Sequence, residues 1–277
     1  MVQVRQVAHA QAPQTVLPAY PRVDSNGAAE PDLPAAVLRP ACDLEILIPS
    51  LNEAHRLPHT LTRTIEYLEA QPYSSSVVVI DNGSFDQTSD LAARTWSDRV
   101  PVILTGCAQP GKGAAVRRGF LTSRARFVGY MDADLATPIE TLDLVVPLLE
   151  EHPAVVGSRR ISGSAFATRQ PAHRVVSGMM FRAVANRVLP GVTDTQCGFK
   201  FFSGDLARAV ARRLRIDGFA FDVELLRAVR DIGVPIKEVP VVWTNKEGST
   251  LRSLRDGTRA AADVFRIARG RSSSCPR

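Results

Sequence analysis

Short apolar runs that end on a polar or acidic residue, each separated from the next by helical spacing, constrain this chain more than any other feature. Leu44-Glu45-Ile46-Leu47-Ile48 stops at Pro49-Ser50, and Val77-Val78-Val79-Ile80 stops at Asp81-Asn82-Gly83-Ser84. Phe127-Val128-Gly129-Tyr130-Met131 stops at Asp132-Ala133-Asp134, and Ala154-Val155-Val156-Gly157-Ser158 runs into Arg159. Such runs are strands buried on both faces. Between them Leu57, Leu61, Ile65 and Leu68 mark a helix over 53–70. Further helices are expected at 86–96, from Gly113 to Ser123 and from Pro138 to Glu151, with a strand at 101–105. The alternation specifies an α/β fold: a mostly parallel central sheet with helices on both faces. Ligands of such sheets gather beyond the carboxyl ends of the strands. Here three of those ends carry Asp, Asn or Ser.

The pattern changes after Ser158. A mobile loop is expected at 159–170, a helix at 171–188, a strand at 198–202, and helices at 204–213 and 219–232. A strand at 236–243 and an Arg-rich helix from Leu251 to Ala268 follow. Residues 1–42, rich in Pro, Ala, Gln and Val and without period, read as a flexible leader. With 277 residues, 45% of them apolar, the chain can bury one sizeable core. One domain over 43–254 is expected, with a basic helix and tail at 255–277.

The net charge of +6 is spread evenly, without a clustered basic and aromatic surface, so nucleic acid is not an expected partner. An anionic substrate or an acidic membrane surface suits it. Cys42, Cys107, Cys197 and Cys275 form no C-x-x-C pair, which argues against a structural zinc or a disulfide framework and for a reducing cytoplasm. No run of about 18 apolar residues predicts a membrane-spanning helix, and the N-terminus has no signal-peptide core.

Asp132-Ala133-Asp134 is the most informative triplet. Two carboxylates one residue apart at a strand end can hold Mg²⁺ or Mn²⁺ against a diphosphate. A turn or helix cap uses the same residue types, but a charge pair directly after a buried strand needs a partner. Asp81 is either an acceptor for a nucleobase or ribose or an ordinary turn residue. Glu53 either takes ribose hydroxyls or faces a helix dipole. Gly111-Lys112-Gly113 precedes a helix, where glycines let amides approach a ligand and the helix start favours anions; a plain Gly-bounded loop is the alternative. Arg159, Arg160, Arg169 and Arg174, with Ser177 a turn beyond, offer guanidinium donors to a phosphate or form a solvated basic face. Cys197 reads as a buried small residue.

Together these residues resemble the glycosyltransferases of family 2, which have the GT-A fold. Ile48-Pro49-Ser50-Leu51-Asn52-Glu53, Asp81-Asn82-Gly83-Ser84, Gly111-Lys112-Gly113 and Asp132-Ala133-Asp134 carry the resemblance on the nucleotide-sugar side. Asp194-Thr195-Gln196-Cys197-Gly198-Phe199-Lys200, Phe221-Asp222-Val223-Glu224 and Glu238-Val239-Pro240-Val241-Val242-Trp243 resemble the dolichyl-phosphate or polyprenyl-phosphate β-glucosyltransferase branch. The resemblance implies a nucleotide-sugar half at 43–158 and an acceptor half at 159–254, transferring a hexose, typically glucose from UDP-glucose, to a polyprenyl phosphate with inversion. It implies that Pro49, Leu51, Glu53, Asp81 and Lys112 bind the nucleotide, and that Asp132, Ala133 and Asp134 hold metal and diphosphate. Arg159 would face the donor, Arg174 and Ser177 the acceptor phosphate, and Lys246 would close over the diphosphate.

Three departures stand out. Leu51 occupies the place of a usual aromatic, Thr250 replaces a common lysine, and membrane anchors like those of many relatives are not expected from these residues. The expected location is cytoplasmic, with peripheral contact at the inner face of a membrane. An anionic phosphate acceptor needs no general base, whereas a soluble hydroxyl acceptor would need one, for which Asp194 and Asp222 are the candidates. An inert nucleotide-sugar binding protein on the same fold is a rival reading. A sugar-nucleotide pyrophosphorylase is a weaker one, because Pro49-Ser50-Leu51-Asn52-Glu53 stands where its Gly-rich loop belongs.

Overall fold

The structure, a computed structural model, describes residues 41–166, 185, 187–244, 263 and 267. The leader up to residue 40, Arg169, Arg174, Ser177, Lys246, Thr250 and nearly all of the two helices expected at 171–188 and 251–268 lie outside the described residues.

The chain runs β1 (Leu44–Ser50), α1 (Leu57–Glu69), β2 (Ser75–Asp81), α2 (Thr88–Arg94), β3 (Val102–Gly106), α3 (Lys112–Thr122) and β4 (Phe127–Met131). A 3-10 turn (Ile139–Thr141) leads into α4 (Leu142–Leu149), then β5 (Ala154–Ser158) and β6 (Ala165–Phe166). β7 (Phe199–Ser203), α5 (Gly204–Ala211), α6 (Phe221–Asp231), β8 (Lys237–Pro240) and β9 (Val242–Trp243) follow. Seven strands form one sheet in the order β3-β2-β1-β4-β7-β5-β8, parallel except for β7, which is antiparallel to both neighbours. This is the expected α/β arrangement of GT-A type.

Alternate residues of each strand feed the two faces. Leu47, Ile80 and Tyr130 pack with Phe120 of α3, Leu206 of α5 and Leu226 of α6. Ile46, Ile48, Val77 and Val79 pack with Leu57, Leu61 and Leu68 of α1 and Leu142 and Val145 of α4.

Local chemistry explains where elements depart from the sequence reading. The helix expected from residue 53 starts at Leu57, because Pro58, which has no N–H to give, favours the first turn. β1 continues through Pro49 because its ladder to β4 ends at Leu47, so the missing donor breaks no bond on that side. The strand expected at 236–243 divides in two. Pro240 ends the pairing with β5, and Val242 and Trp243 pair instead with β6.

Register then brings the chemistry to one edge. Ser50 lies beside Asp81, and Asp81 beside Gly106. Because β7 runs backwards, its first residue Phe199 faces Met131, the last of β4. The segment 194–198 therefore arrives at the carboxyl edge directly beside Asp132.

Candidate active site

The loops after β1 and β2 are laced together before any ligand is considered. Asn52, with φ of 55°, donates its N–H to Ser84 Oγ (2.9 Å) and accepts from the Phe85 N–H (2.8 Å). Ser84 Oγ donates to Asp81 Oδ1 at 2.5 Å, so the Asp81 carboxylate orders its own turn and presents its remaining acceptor capacity at the rim. Asn82 donates to the carbonyls of Cys107 and Gln109 and accepts from the Gly111 N–H at 2.6 Å, tying in the loop that carries Lys112. Pro49 is within β1 and Leu51 is exposed beside Asn52. The Glu53 carboxylate is gripped by both forks of Arg56, 2.7 Å each. Burial raises the Glu53 pKa more than Arg56 lowers it, and Asp134 and Asp132 push it further up.

Lys112 opens α3, and its amine donates to Asp132 Oδ1 at 2.5 Å. It lies 5.5 Å from the Tyr130 ring centroid and 5.9 Å from that of Phe221. Burial pulls its pKa down, but the charges of Asp132, Asp222 and Asp134 outweigh this, and the net shift is upward. The glycines on either side of it do not form the ligand cradle that the sequence suggested. A Cβ on Gly111, whose φ is 122°, would meet the Asp217 carbonyl oxygen at 2.1 Å, and one on Gly113 would meet Phe221 Cβ at 2.5 Å. The Gly113 N–H already donates to the Asp217 carbonyl (2.8 Å). The helix start is thus capped by the protein's own backbone, and the Lys112 side chain is what it offers an anion.

The Asp132-Ala133-Asp134 triplet is held from both sides. Thr60 Oγ1 donates to the Ala133 carbonyl (2.7 Å), and the Asp132 N–H donates to the Gly198 carbonyl (3.1 Å). A Cβ on Gly198 would fall 2.0 Å from Asp132 Oδ2, so any larger residue there would displace the Asp132 carboxylate. Leu135, with φ of 50°, turns the chain back so that the Ala136 N–H donates to Asp134 Oδ1 at 3.0 Å. Asp134 Oδ2 lies 3.9 Å from Arg56. Burial, then the neighbouring Asp132, raises the Asp134 pKa. Among the described residues no three His, Cys, Asp or Glu side chains converge as a ready metal cage. What the edge does present is two part-exposed carboxylates with oxygens left over after their internal bonds. That donor set fits a hard divalent cation whose remaining positions go to phosphate oxygens and water.

Arg159 and Asp194 are joined to each other. Nε and Nη2 of Arg159 donate to the two Asp194 oxygens at 2.7 and 2.9 Å, and its backbone N–H adds a third bond at 3.0 Å. Burial would raise the Asp194 pKa, but these bonds bring it down from 3.8 to about 2. A carboxylate so committed is a weak proton acceptor, and its evident part in this structure is to hold Arg159. The guanidinium also lies 5.6 Å from the Trp243 ring centroid. Asp222 is engaged in a different way. It is buried, and it accepts from both the Lys200 amine and the Tyr130 hydroxyl. Burial pushes the Cys197 thiol up to about 11, in keeping with an inert core residue.

Three features escaped the sequence reading: Arg56, Asp217 and the Lys200–Asp222–Tyr130 cluster. Arg56 could have been found by its i,i+3 spacing from Glu53, and Lys200 by its place inside an otherwise apolar strand. Nothing local marks Asp217, which reaches the Lys112 loop from far along the chain.

A mostly parallel sheet whose carboxyl edge gathers Glu53, Asp81, Lys112, Asp132 and Asp134 is the framework of a GT-A enzyme. The profile of the family described as Glycosyl transferase family 2 matches residues 45–210, and the chain belongs to that family of glycosyltransferases. Curated relatives include dolichyl-phosphate β-glucosyltransferases from Dictyostelium discoideum and Homo sapiens. The first is 32% identical, covering 81% of this chain and 73% of the relative. The human protein is 34% identical, covering 79% and 72%. Among solved structures, glucosyl-3-phosphoglycerate synthase from Mycobacterium tuberculosis, in complex with Mn²⁺, UDP and glucosyl-3-phosphoglycerate, matches with a TM-score of 0.64. It is 18% identical, over 84% of this chain and 82% of that one, so it bears on the fold alone.

Proposed function

We propose that this chain transfers glucose from UDP-glucose to a polyprenyl phosphate with inversion at the anomeric carbon. The observation that carries the reading is the Lys112–Asp132 contact beside Asp134 at the carboxyl edge, in a chain whose relatives are dolichyl-phosphate β-glucosyltransferases. Pro49, Leu51, Glu53 and Asp81 line the nucleoside end, and Lys112 meets the diphosphate. Asp132 and Asp134 would hold Mg²⁺ or Mn²⁺, which when bound offsets negative charge on the departing diphosphate. Residues 43–158 serve the donor and 159–254 the acceptor; by the resemblance to the family Arg174 and Ser177 bind the acceptor phosphate and Lys246 the diphosphate.

The state of the two candidate bases among the described residues favours a phosphate acceptor. The two candidate carboxylates are both engaged, Asp194 by Arg159 and Asp222 by Lys200 and Tyr130. A phosphate acceptor is already anionic and attacks once it is aligned opposite the leaving UDP, so positioning and charge suffice. Arg159, fixed by Asp194, supplies a cation whose direction is set before substrate arrives. A lipid acceptor implies peripheral contact with a membrane; among the described residues no helix is long and apolar enough to cross one.

UDP release from UDP-glucose with Mg²⁺ or Mn²⁺, with and without a short-chain polyprenyl phosphate, tests this. Acceptor-stimulated release is the expected result. Binding of UDP-glucose without stimulation would refute the lipid-phosphate acceptor, and failure to bind it would refute the donor.

A further inference from the structure

The Lys112 amine borders a buried charge cluster that the proposed chemistry leaves unused. Lys200, Asp222 and Tyr130 come from β7, α6 and β4, and all three are buried. Asp222 Oδ1 accepts from both the Lys200 amine and the Tyr130 hydroxyl, and Lys200 also donates to the Cys197 carbonyl at 2.5 Å. An ion pair inside an apolar core is a poor way to gain stability, since well-packed apolar residues of similar volume do as well or better. Its presence here calls for another account.

The surroundings supply one. Tyr130 and Lys200 face each other across the β4–β7 ladder, and Tyr130 is two residues before Asp132. Both ammonium groups lie against the same ring, Lys112 at 5.5 Å and Lys200 at 5.4 Å from its centroid. Phe221, next to Asp222 at the start of α6, tilts against Tyr130 at 5.6 Å and borders Lys112 at 5.9 Å. The first turn of α3 presses so closely on Phe221 that Gly113 has no room for a Cβ. The Cys197 carbonyl held by Lys200 belongs to the same short segment as Gly198, which receives the Asp132 N–H. One buried pair therefore fixes the ring beneath Lys112, the helix end beside it and the segment that holds its partner.

We propose that Lys200, Asp222 and Tyr130 are positioning residues that fix where the Lys112 amine stands against Asp132, and through it how the donor diphosphate is held. The second half rests on the proposed function; the first does not.

Two measurements separate the halves. The first is calorimetric titration of UDP with Mn²⁺ into the wild type, Tyr130→Phe, the apolar pair Lys200→Met/Asp222→Leu, and each of these combined with Lys112→Met. Tyr130→Phe keeps the ring and removes one hydrogen bond, so it serves even if the pair variant fails to fold. UDP affinity is expected to fall about tenfold, the size of coupling usual within one bonded network. That loss should vanish once Lys112 is already Met. An equal loss in the Lys112→Met background, or no loss at all, would overturn the proposal. The second is the crystal structure of unliganded Tyr130→Phe. The Lys112 amine is expected to leave Asp132; if it stays at the wild-type separation, the positioning role is refuted. If wild-type protein fails to bind UDP, the donor reading falls, and this structure still decides the first half.

Discussion

Two lysine–aspartate pairs share the Tyr130 ring, and they differ chiefly in their access to water. Lys112 and Asp132 keep 18% and 40% of their side-chain surface; Lys200 and Asp222 keep 0% and 4%. At the rim, water or a ligand oxygen can take over whatever either partner gives up. That pair can therefore open, exchange and bind. Inside the sheet no substitute reaches a stranded charge, so the second pair has to stay closed. The same chemistry yields a binding element in one place and a brace in the other, with the aromatic ring as their common wall.

The sharpest way to break this comparison is to remove the buried cation. Lys200→Met strands Asp222 among apolar residues, with only the Tyr130 hydroxyl left to it among the described residues. A loss of about 3–5 kcal/mol in urea unfolding is expected, the usual cost of breaking a buried pair on one side. A loss near zero would mean that the pair carries no strain of burial and that the contrast is wrong. Next in size is Asp134→Ala. If the rim holds metal and diphosphate, turnover at saturating Mn²⁺ should drop at least about a hundredfold, with the unfolding midpoint little changed. Normal turnover would remove Asp134 from the proposed metal site.

The contrast also marks what a linear reading can reach. Phe127–Met131 and Ala154–Ser158 fall where the apolar runs placed them, because a run ended by Asp or Arg is a local signal of a buried strand. For the same reason the strand-end positions of Asp81 and Asp132 were legible. Pairing was not. That β7 runs antiparallel between β4 and β5 depends on residues far apart in sequence, and this reversal brings Asp194 to Arg159 and Lys200 to Tyr130. That Asp194 and Asp222, the candidate bases for a hydroxyl acceptor, each hold a cation could not be read before those partners were placed. Gly111 and Gly113 misled in the opposite direction. A glycine announces close approach, and the approaching groups are Asp217 and Phe221 of the chain itself.

Acid sharpens the comparison at a third carboxylate. Asp194 is as buried as Asp222, but its partner Arg159 holds its pKa at about 2 against an ordinary 3.8. The resulting stability is full above the ordinary value and disappears as pH falls from 3.8 through about 2. Linkage puts it at about 2 kcal/mol. Unfolding measured from pH 5 down to pH 2 should show that slope in the wild type, and Asp194→Asn should lose it. An unchanged slope in Asp194→Asn would assign the acid sensitivity to other carboxylates.

The smallest expected effect is also the most discriminating. Lys112→Met removes the rim cation and leaves Asp132 facing solvent, where water replaces the lost hydrogen bond and screens the charge. Ion pairs open to water contribute about 0–1 kcal/mol. Water reaches this part-exposed pair from the Asp132 side, 40% exposed, and the Met side chain still covers the Tyr130 and Phe221 rings that Lys112 borders. Stability should therefore change by less than about 1 kcal/mol, while UDP affinity falls about tenfold or more with the loss of one charge-assisted bond to phosphate. If Lys112→Met instead destabilised the fold as much as Lys200→Met, the rim pair would be a brace like its buried counterpart. Lys112 could then not give up Asp132 to meet a diphosphate without loosening α3, and the donor would have to be held by the carboxylates and their metal alone.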